Sequence, residues 1–563
     1  MNLIFKKTLK LMSDRSKYAN FLTWSVLTIG LLALILTSFY VAQKSAIIHN
    51  NNNDQLIDSY MFEDAETFNN AIFPSAHTFL LKWPIFAISS LFGNTTSTYV
   101  ILTILVYIIT VLGFIYVIYR LSKKDLLVTG FSALCLSSIL LLVPAQPFNA
   151  SLLPVNMGMI TTRNLEFLVL FLYIYLIVKS VKINSLPFYL SILTLGLLGA
   201  TDKFFLMLVL VGAVYYILYK IVFLKNKINF TLFIPLLSAI VASVFATGLL
   251  LLIHKLEITN IPSATNAAPF ALVSSVWQMT EALAGAIQGI IVNYGAGFFN
   301  RSAKLSLAPY LINGMLLIAA AYAIYKLFFV KVVARKYQQE SRWNFILWLV
   351  LTLFAAITVF IASNHGYVYD GRYLTGSLFA GIAAIAYLIS AYSFKKKRIL
   401  LISASVILMF TLPLTLYVAR ANYIQSINDN HKELGQRTEQ ASNIVVREDA
   451  DILVGDYWFV TPTKLKTAKQ VTVVPMTTEA CDQPNYFLTS TKWYQPSGNV
   501  DKSAYYILRD AGEDSETFNH GCTLEFLNQK YGKPEKEFVI RGTKEKPIDI
   551  IRIYPYDVRT KFQ

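Results

Sequence analysis

The chain has 563 residues, 55% of them hydrophobic, with a mean hydropathy of +0.51 and a formal net charge of +16. That is too apolar for a soluble protein and supplies many more apolar runs than one globular core needs, so a polytopic α-helical membrane protein is expected. The charge could point to nucleic acid, but 30 Lys/Arg against 13 Asp/Glu precede Val418 and 19 against 20 follow, which confines the excess to the membrane part, and no nucleic-acid-binding motif accompanies it.

Eleven apolar runs predict spans near residues 21–42, 98–119, 126–144, 165–181, 187–200, 204–224, 229–253, 307–330, 344–363, 376–393 and 399–418. Basic clusters such as Lys6/Lys7/Lys10, Arg120/Lys123/Lys124, Lys179/Lys182 and Lys395/Lys396/Lys397/Arg398 recur at every second connection. Threading the chain on that pattern puts 22 bases on one side and 10 acids on the other, which predicts a cytoplasmic N-terminus and an extracytoplasmic tail. The first run lacks a small-residue cleavage site and reads as an uncleaved signal anchor. Two domains are expected: a transmembrane domain over 1–418 and an extracytoplasmic α/β domain over 419–563.

The first outer connection, 43–97, begins polar and acidic, with Asp54, Asp58, Glu63, Asp64 and Glu66, and then turns apolar from Thr78 to Phe86. The connection 255–306 carries Val276, Met279, Leu283, Ala286, Ile287 and Ile290 at helical spacing. Both read as amphipathic helices in the outer interface or as loops packed on the bundle. The fifth run is short, about 21 Å of helix against a hydrocarbon core of about 30 Å. Only Thr201, Asp202 and Lys203 separate it from the next. A turn so tight and charged is expected either to sit in a water-filled outer cleft or to satisfy itself as an Asp202–Lys203 pair.

Past Val418, short β-rich runs start at Asp451, Val471, Tyr486, Tyr505, Phe538 and Ile548, with helical stretches near 462–468 and 524–531 between them. Cys135 reads as a packing residue inside a span. Cys481 and Cys522 lie in the tail, where either a disulfide or two buried thiols fits.

The outer face thus gathers the acids of the first connection, the pair Asp202/Lys203 and the loop bearing His365, Asp370, Arg372 and Tyr373, with a few further bases that include Lys82 and Arg163. Acids in one loop and cations in others suit a reaction in which a hydroxyl or amine loses a proton while a phosphate leaves. Taken singly, the acidic loop is equally a solvated face, and Asp370 and Arg372 equally a pair at a helix end. His49, His77, His254, His365, His431 and His520 lack metal-ligand spacing, and there is no Walker loop, dinucleotide fingerprint or nucleophile elbow. No cofactor is called for, although a divalent cation on Asp54, Asp58 or Asp64 is compatible with the loop.

Glu63-Asp64-Ala65-Glu66 in the first outer loop, Lys82-Trp83-Pro84 downstream and Arg372-Tyr373-Leu374 opening a late span are similar to motifs of one family. With this layout, the chain resembles the GT-C superfamily of integral membrane glycosyltransferases, the branch of protein O-mannosyltransferases and the lipid A aminoarabinose transferase. Asp456-Tyr457-Trp458, Lys464-Leu465 and Lys492-Trp493-Tyr494 are similar to outer domains of bacterial relatives. The resemblance implies transfer of a sugar, with inversion, from a polyprenyl-phosphate donor to a glycan, lipid or protein acceptor. It implies that Asp64 or Asp54, with Glu63 and Asp58 as further candidates, supplies the base. Lys82, Lys203 and Arg372 would receive the lipid phosphate, and His77, Asp202, His365, Asp370 and Tyr373 would complete the substrate contacts.

Two other readings stand beside it. A transporter or flippase of a lipid-linked glycan would place ionisable groups near mid-span and often show an internal repeat. A non-catalytic envelope-assembly protein would use the tail to bind a partner.

Overall fold

The computed structural model describes residues 2–49, 71–72, 78, 80–92, 96–143, 163, 165–180, 182–258, 273–297, 305–363, 371–391, 397–421, 423–467, 471–477, 483–485, 489–508, 517–518, 522–541 and 548–562. Each of the eleven apolar runs is helical: α1 (Asn2–His49), α3 (Thr96–Leu121), α4 (Leu126–Leu142), α5 (Leu165–Lys179), α6 (Leu186–Thr201), α7 (Lys203–Leu218), α8 (Ile234–Lys255), α10 (Ala308–Ile324), α12 (Ser341–Ala362), α13 (Gly376–Ala391) and α14 (Lys397–Ala421). A helix is how an apolar segment satisfies its own backbone where no water can. Among the described residues, seven helices are long and apolar enough to cross a membrane, the make-up of a helical membrane protein.

Between these lie α2 (Trp83–Ser90), α9 (Val276–Asn293) and α11 (Lys331–Tyr337). Helix α9 shows why its apolar periodicity does not mark a core. It buries the small residues Ala282, Gly285, Ala286 and Gly289 against the bundle, while Val276, Met279, Leu283 and Ile287 stay exposed. Small residues let the backbones approach, and the larger side chains are left on the surface.

At the centre is α4, buried at every position after Leu126. Asp125 caps it, its Oδ1 accepting from the amides of Leu127 at 3.1 Å and Val128 at 3.2 Å, while Oδ2 pairs with Lys397 at 3.2 Å. Helix α1 crosses α4 backbone on backbone. A Cβ added at Gly130 would lie 2.7 Å from Leu27 Cα, and one at Gly30 would lie 2.5 Å from the Gly130 carbonyl oxygen. Polar pairs complete the packing: Ser138 on α4 donates to Asn313 Oδ1 on α10 at 2.8 Å, and Ser191 and Ser238 join α6 to α8 at 3.0 Å. In hydrocarbon such bonds are worth about 0.6 kcal/mol each.

After α14 the chain forms α15 (Tyr423–Arg447), then a mixed sheet. Strands β2 (Ile452–Asp456), β3 (Thr472–Met476), β5 (Ser503–Leu508), β8 (Lys536–Arg541) and β9 (Ile548–Tyr554) take the order β3-β2-β5-β9-β8. The first three are parallel and the last two antiparallel to their neighbours. Helix α16 (Tyr457–Lys466) crosses over between β2 and β3, and α17 (Leu524–Tyr531) precedes β8.

Alternate residues serve the two faces, as a pleated strand requires. Leu453, Val473, Ala504, Tyr506 and Ile551 pack with Ala441 and Val445 of α15 and Val460 of α16. Ile452, Val454, Tyr505, Ile507 and Ile550 pack with Leu527 and Tyr531 of α17. The pieces β6 (Thr517–Phe518) and β7 (Cys522–Thr523) pair with each other.

Two expectations for the tail change. Helix α15 was not expected, because its composition is polar; among its described side chains the buried ones are Thr438, Ala441, Ser442 and Val445, two of which count as polar in any hydropathy reading. The run expected as a strand from Tyr486 is represented by β4 (Thr489–Ser490), and it joins not the main sheet but β1 (Ala71–Ile72) of the first connection. Cys481 lies outside the described residues, and Cys135 is a buried free thiol on α4.

The α1–α4 crossing yields a stability prediction. Gly130→Leu should cost roughly 1–3 kcal/mol, as overpacking of a tight contact does. In contrast, Gly314→Ala, where an added Cβ meets nothing within 4 Å, should unfold as the wild type does in detergent-denaturant titrations.

Candidate functional site

The C-terminal carbonyls of a helix have no partner within it and must be satisfied from outside. At the end of α6 the outside partner comes from the first connection. The Thr78 amide donates to the Thr201 carbonyl at 2.8 Å, its hydroxyl donates to the Ala200 carbonyl at 2.6 Å, and the Leu81 amide donates to Thr201 Oγ1 at 3.2 Å. The Trp83 indole N–H closes the turn on the Thr78 carbonyl at 3.0 Å. The segment 78–83 is thereby clasped to the α6–α7 hairpin.

Two ion pairs lie beneath the clasp. Lys82 Nζ is 3.0 Å from Glu166 Oε1 in the first turn of α5, and both side chains are 0% exposed. Arg163 Nε is 2.7 Å from Asp202 Oδ2, with Asp202 2% and Arg163 24% exposed. Asp202 also caps α7, its Oδ1 accepting from the Phe204 amide at 2.9 Å.

The Arg163 guanidinium carbon lies 5.0 Å from the Phe204 ring centre and 5.2 Å from that of Tyr373, which belongs to the 3-10 turn Gly371–Leu374. Burial works against the charge of Arg163, but Asp202, with Tyr373 beside it, outweighs burial and raises its pKa above the usual arginine value. Among the described residues its two terminal nitrogens make no hydrogen bond. A guanidinium held by its Nε and flanked by two rings is a fork preorganised for an oxyanion.

The structure brings Lys82, Asp202, Lys203 and Tyr373 to one end of the bundle, and Lys82 and Asp202 take partners that the sequence did not name. Lys82 is not open to a phosphate: its ammonium is enclosed and matched by Glu166. Asp202 does not pair with Lys203; it is buried on Arg163, and Lys203 is exposed. The backbone of Arg372 lies in the 3-10 turn. Asp54, Asp58, Glu63, Asp64, His77, His365 and Asp370 lie outside the described residues.

Sequence reasoning gave no site role to Glu166 or to Arg163. The available signal was a lone carboxylate one turn into an apolar run, which is costly unless it has a partner. Among the described residues no group of three His, Cys, Asp or Glu could hold a metal ion. No protein-family model matches the chain, and no curated protein matches it.

Removing one partner of a buried pair strands the other charge, at a cost of about 3–5 kcal/mol, whereas replacing both with apolar groups is near neutral. Lys82→Met alone should therefore destabilise the protein strongly, and Lys82→Met with Glu166→Leu should recover most of the loss. Denaturant midpoints of the wild type, both single variants and the double variant measure the coupling.

Proposed function

We propose that this protein is a membrane glycosyltransferase that moves a sugar, with inversion, from a polyprenyl-phosphate donor to an extracytoplasmic glycan, lipid or protein acceptor. The observation that carries the reading is the meeting of the first connection, the α5 start, the α6–α7 hairpin and Tyr373 around the partly exposed fork of Arg163. The acids Asp54 to Glu66 stand just upstream of that clasp in the chain.

In the proposed reaction an acceptor hydroxyl or amine gives its proton to a carboxylate, Asp64 or Asp54 first, with Asp58 and Glu63 as the other candidates. Its lone pair attacks the anomeric carbon, the bond from that carbon to the phosphate oxygen breaks, and the polyprenyl phosphate leaves with the electron pair. Arg163 and Lys203 receive the developing phosphate charge, with Arg372 as a further cation, and Lys82 holds the loop rather than the ligand. Phosphate is already a good leaving group, so positioning and charge stabilisation supply most of the acceleration.

The topology belongs to the same proposal: eleven spans, a cytoplasmic N-terminus and an extracytoplasmic tail. Helices in all eleven runs, the alternation of basic connections and the pairing of β1 with β4 support it, since that pairing puts the first connection and the tail on one side. Helix α9 and the apolar segment from Lys82 onward would admit the lipid donor sideways from the bilayer.

Separate Asp→Asn changes at 54, 58 and 64 test the base. Transfer of labelled sugar from lipid donors in membranes should vanish in one of the three at unchanged protein level, and full activity in all three removes the assignment. Arg163→Gln combined with Asp202→Asn, which leaves no stranded charge, should lower turnover by about 10²-fold, the size expected for losing one preorganised oxyanion donor.

A further inference from the structure

Along α5, from Leu168 to its last residue Lys179, a cavity of about 500 Å³ opens between α3, α5 and α12. Its volume falls in the range of roughly 300–1,000 Å³ typical of ligand sites. Its inner walls are apolar, formed by Leu168, Phe171 and Phe345. Half-exposed Leu172 and Tyr175, together with Tyr116, show that it opens to the side of the bundle, where the bilayer lies. From Leu168 to Lys179 it follows α5 for about 16 Å at the helical rise per residue.

The rim has a different chemistry. Arg120 and Lys179 stand exposed at the C-terminal ends of α3 and α5, and Arg342 stands in the first turn of α12. Arg342 is engaged: it donates to the Leu121 carbonyl at 2.8 Å and pairs with Glu340 at 2.9 Å. Glu340 is the acid of this rim, and Arg342 together with the Tyr387 hydroxyl at 3.0 Å satisfies it. Arg120 bonds the Tyr116 hydroxyl at 3.1 Å, and neither Arg120 nor Lys179 pairs with an acid among the described residues. The α12 N-terminus adds its partial positive charge to theirs.

A slot that is apolar along its length, open sideways to lipid and cationic at one end fits an amphiphile with an anionic head. We propose that this cavity binds one anionic phospholipid from the leaflet at this end of the bundle, its phosphate on Arg120 and Lys179 and one acyl chain along Leu168, Phe171 and Phe345. The inference is independent of sugar transfer, because it uses none of the residues placed in that reaction.

The test uses the full-length protein in vesicles of phosphatidylcholine with or without phosphatidylglycerol, and native mass spectrometry of the detergent-extracted protein. The wild type should retain one phosphatidylglycerol and unfold at a higher temperature when that lipid is present. Arg120→Gln with Lys179→Gln removes two exposed charges and should fold normally in phosphatidylcholine. It should bind phosphatidylglycerol about thirtyfold more weakly, the loss expected for two basic residues. Leu172→Trp, which fills the mouth without changing charge, should also lose the lipid. Undiminished retention in the double variant, equal retention of phosphatidylcholine, or equal protection by inorganic phosphate alone would each overturn the proposal.

Discussion

The buried pair of Lys82 with Glu166 is the constraint on which the arrangement of this molecule turns. Each charge taken from water costs several kcal/mol, and only an opposite charge at hydrogen-bond distance offsets it. Glu166 begins an apolar helix, and the ammonium 3.0 Å away comes from a segment more than 80 residues earlier in the chain. Satisfying that carboxylate therefore requires the first connection to fold down onto the bundle. Once Lys82 is in place, Thr78 lies where it can meet the open carbonyls of α6. The clasp on the hairpin and the ion pair are two results of one desolvation problem.

The same logic recurs in the tail. Asp549 on β9 is fully buried, and Arg437 of α15 forms an ion pair with it while the Tyr506 hydroxyl donates to it at 2.6 Å. The guanidinium lies 5.0 Å from the Phe459 ring centre of α16, and Phe459 in turn stacks on Tyr506. A largely polar helix with a thin apolar stripe would dock loosely through packing alone. A directional ion pair at its middle sets both its position along the sheet and its rotation. Arg163 is held likewise by a carboxylate and two rings, but there the terminal nitrogens are left over, and that difference separates a structural arginine from a candidate ligand-binding one.

What the sequence made legible follows from what is local. Apolar runs became helices, the unusually short fifth run became the 16-residue α6, and the strands from Asp451, Val471, Tyr505, Phe538 and Ile548 formed the main sheet. What stayed hidden depends on pairs distant in sequence. Nothing near Asp202 names Arg163 as its partner rather than the adjacent Lys203, because residues next to each other at a helix start point in different directions. Nothing in Ala71–Ile72 reveals a strand whose mate is more than 400 residues away. Helix α15 was missed for the related reason that its buried stripe is polar at Thr438 and its strongest anchor is a charge.

The short helices of the bundle bear on where charge can sit. The fully enclosed α4 has 17 residues, about 26 Å of helix, and α5 has 15, about 22 Å, against a hydrocarbon thickness of about 30 Å. Burial does not follow length alone: only 22% of the apolar window of α14 and 28% of that of α8 is buried, but 67% of that of the 22-residue α12. A helix shorter than the hydrocarbon thickness brings its terminal residues closer to the apolar layer than a full-length span does, so a charge there needs either a partner or a long reach to water. Glu166 and Lys179 are the charged residues in the first and last turns of the same short helix. The two ends of α5 therefore meet the cost of a terminal charge in different ways: Glu166 is matched by an ammonium inside the bundle, and Lys179 keeps its own ammonium exposed.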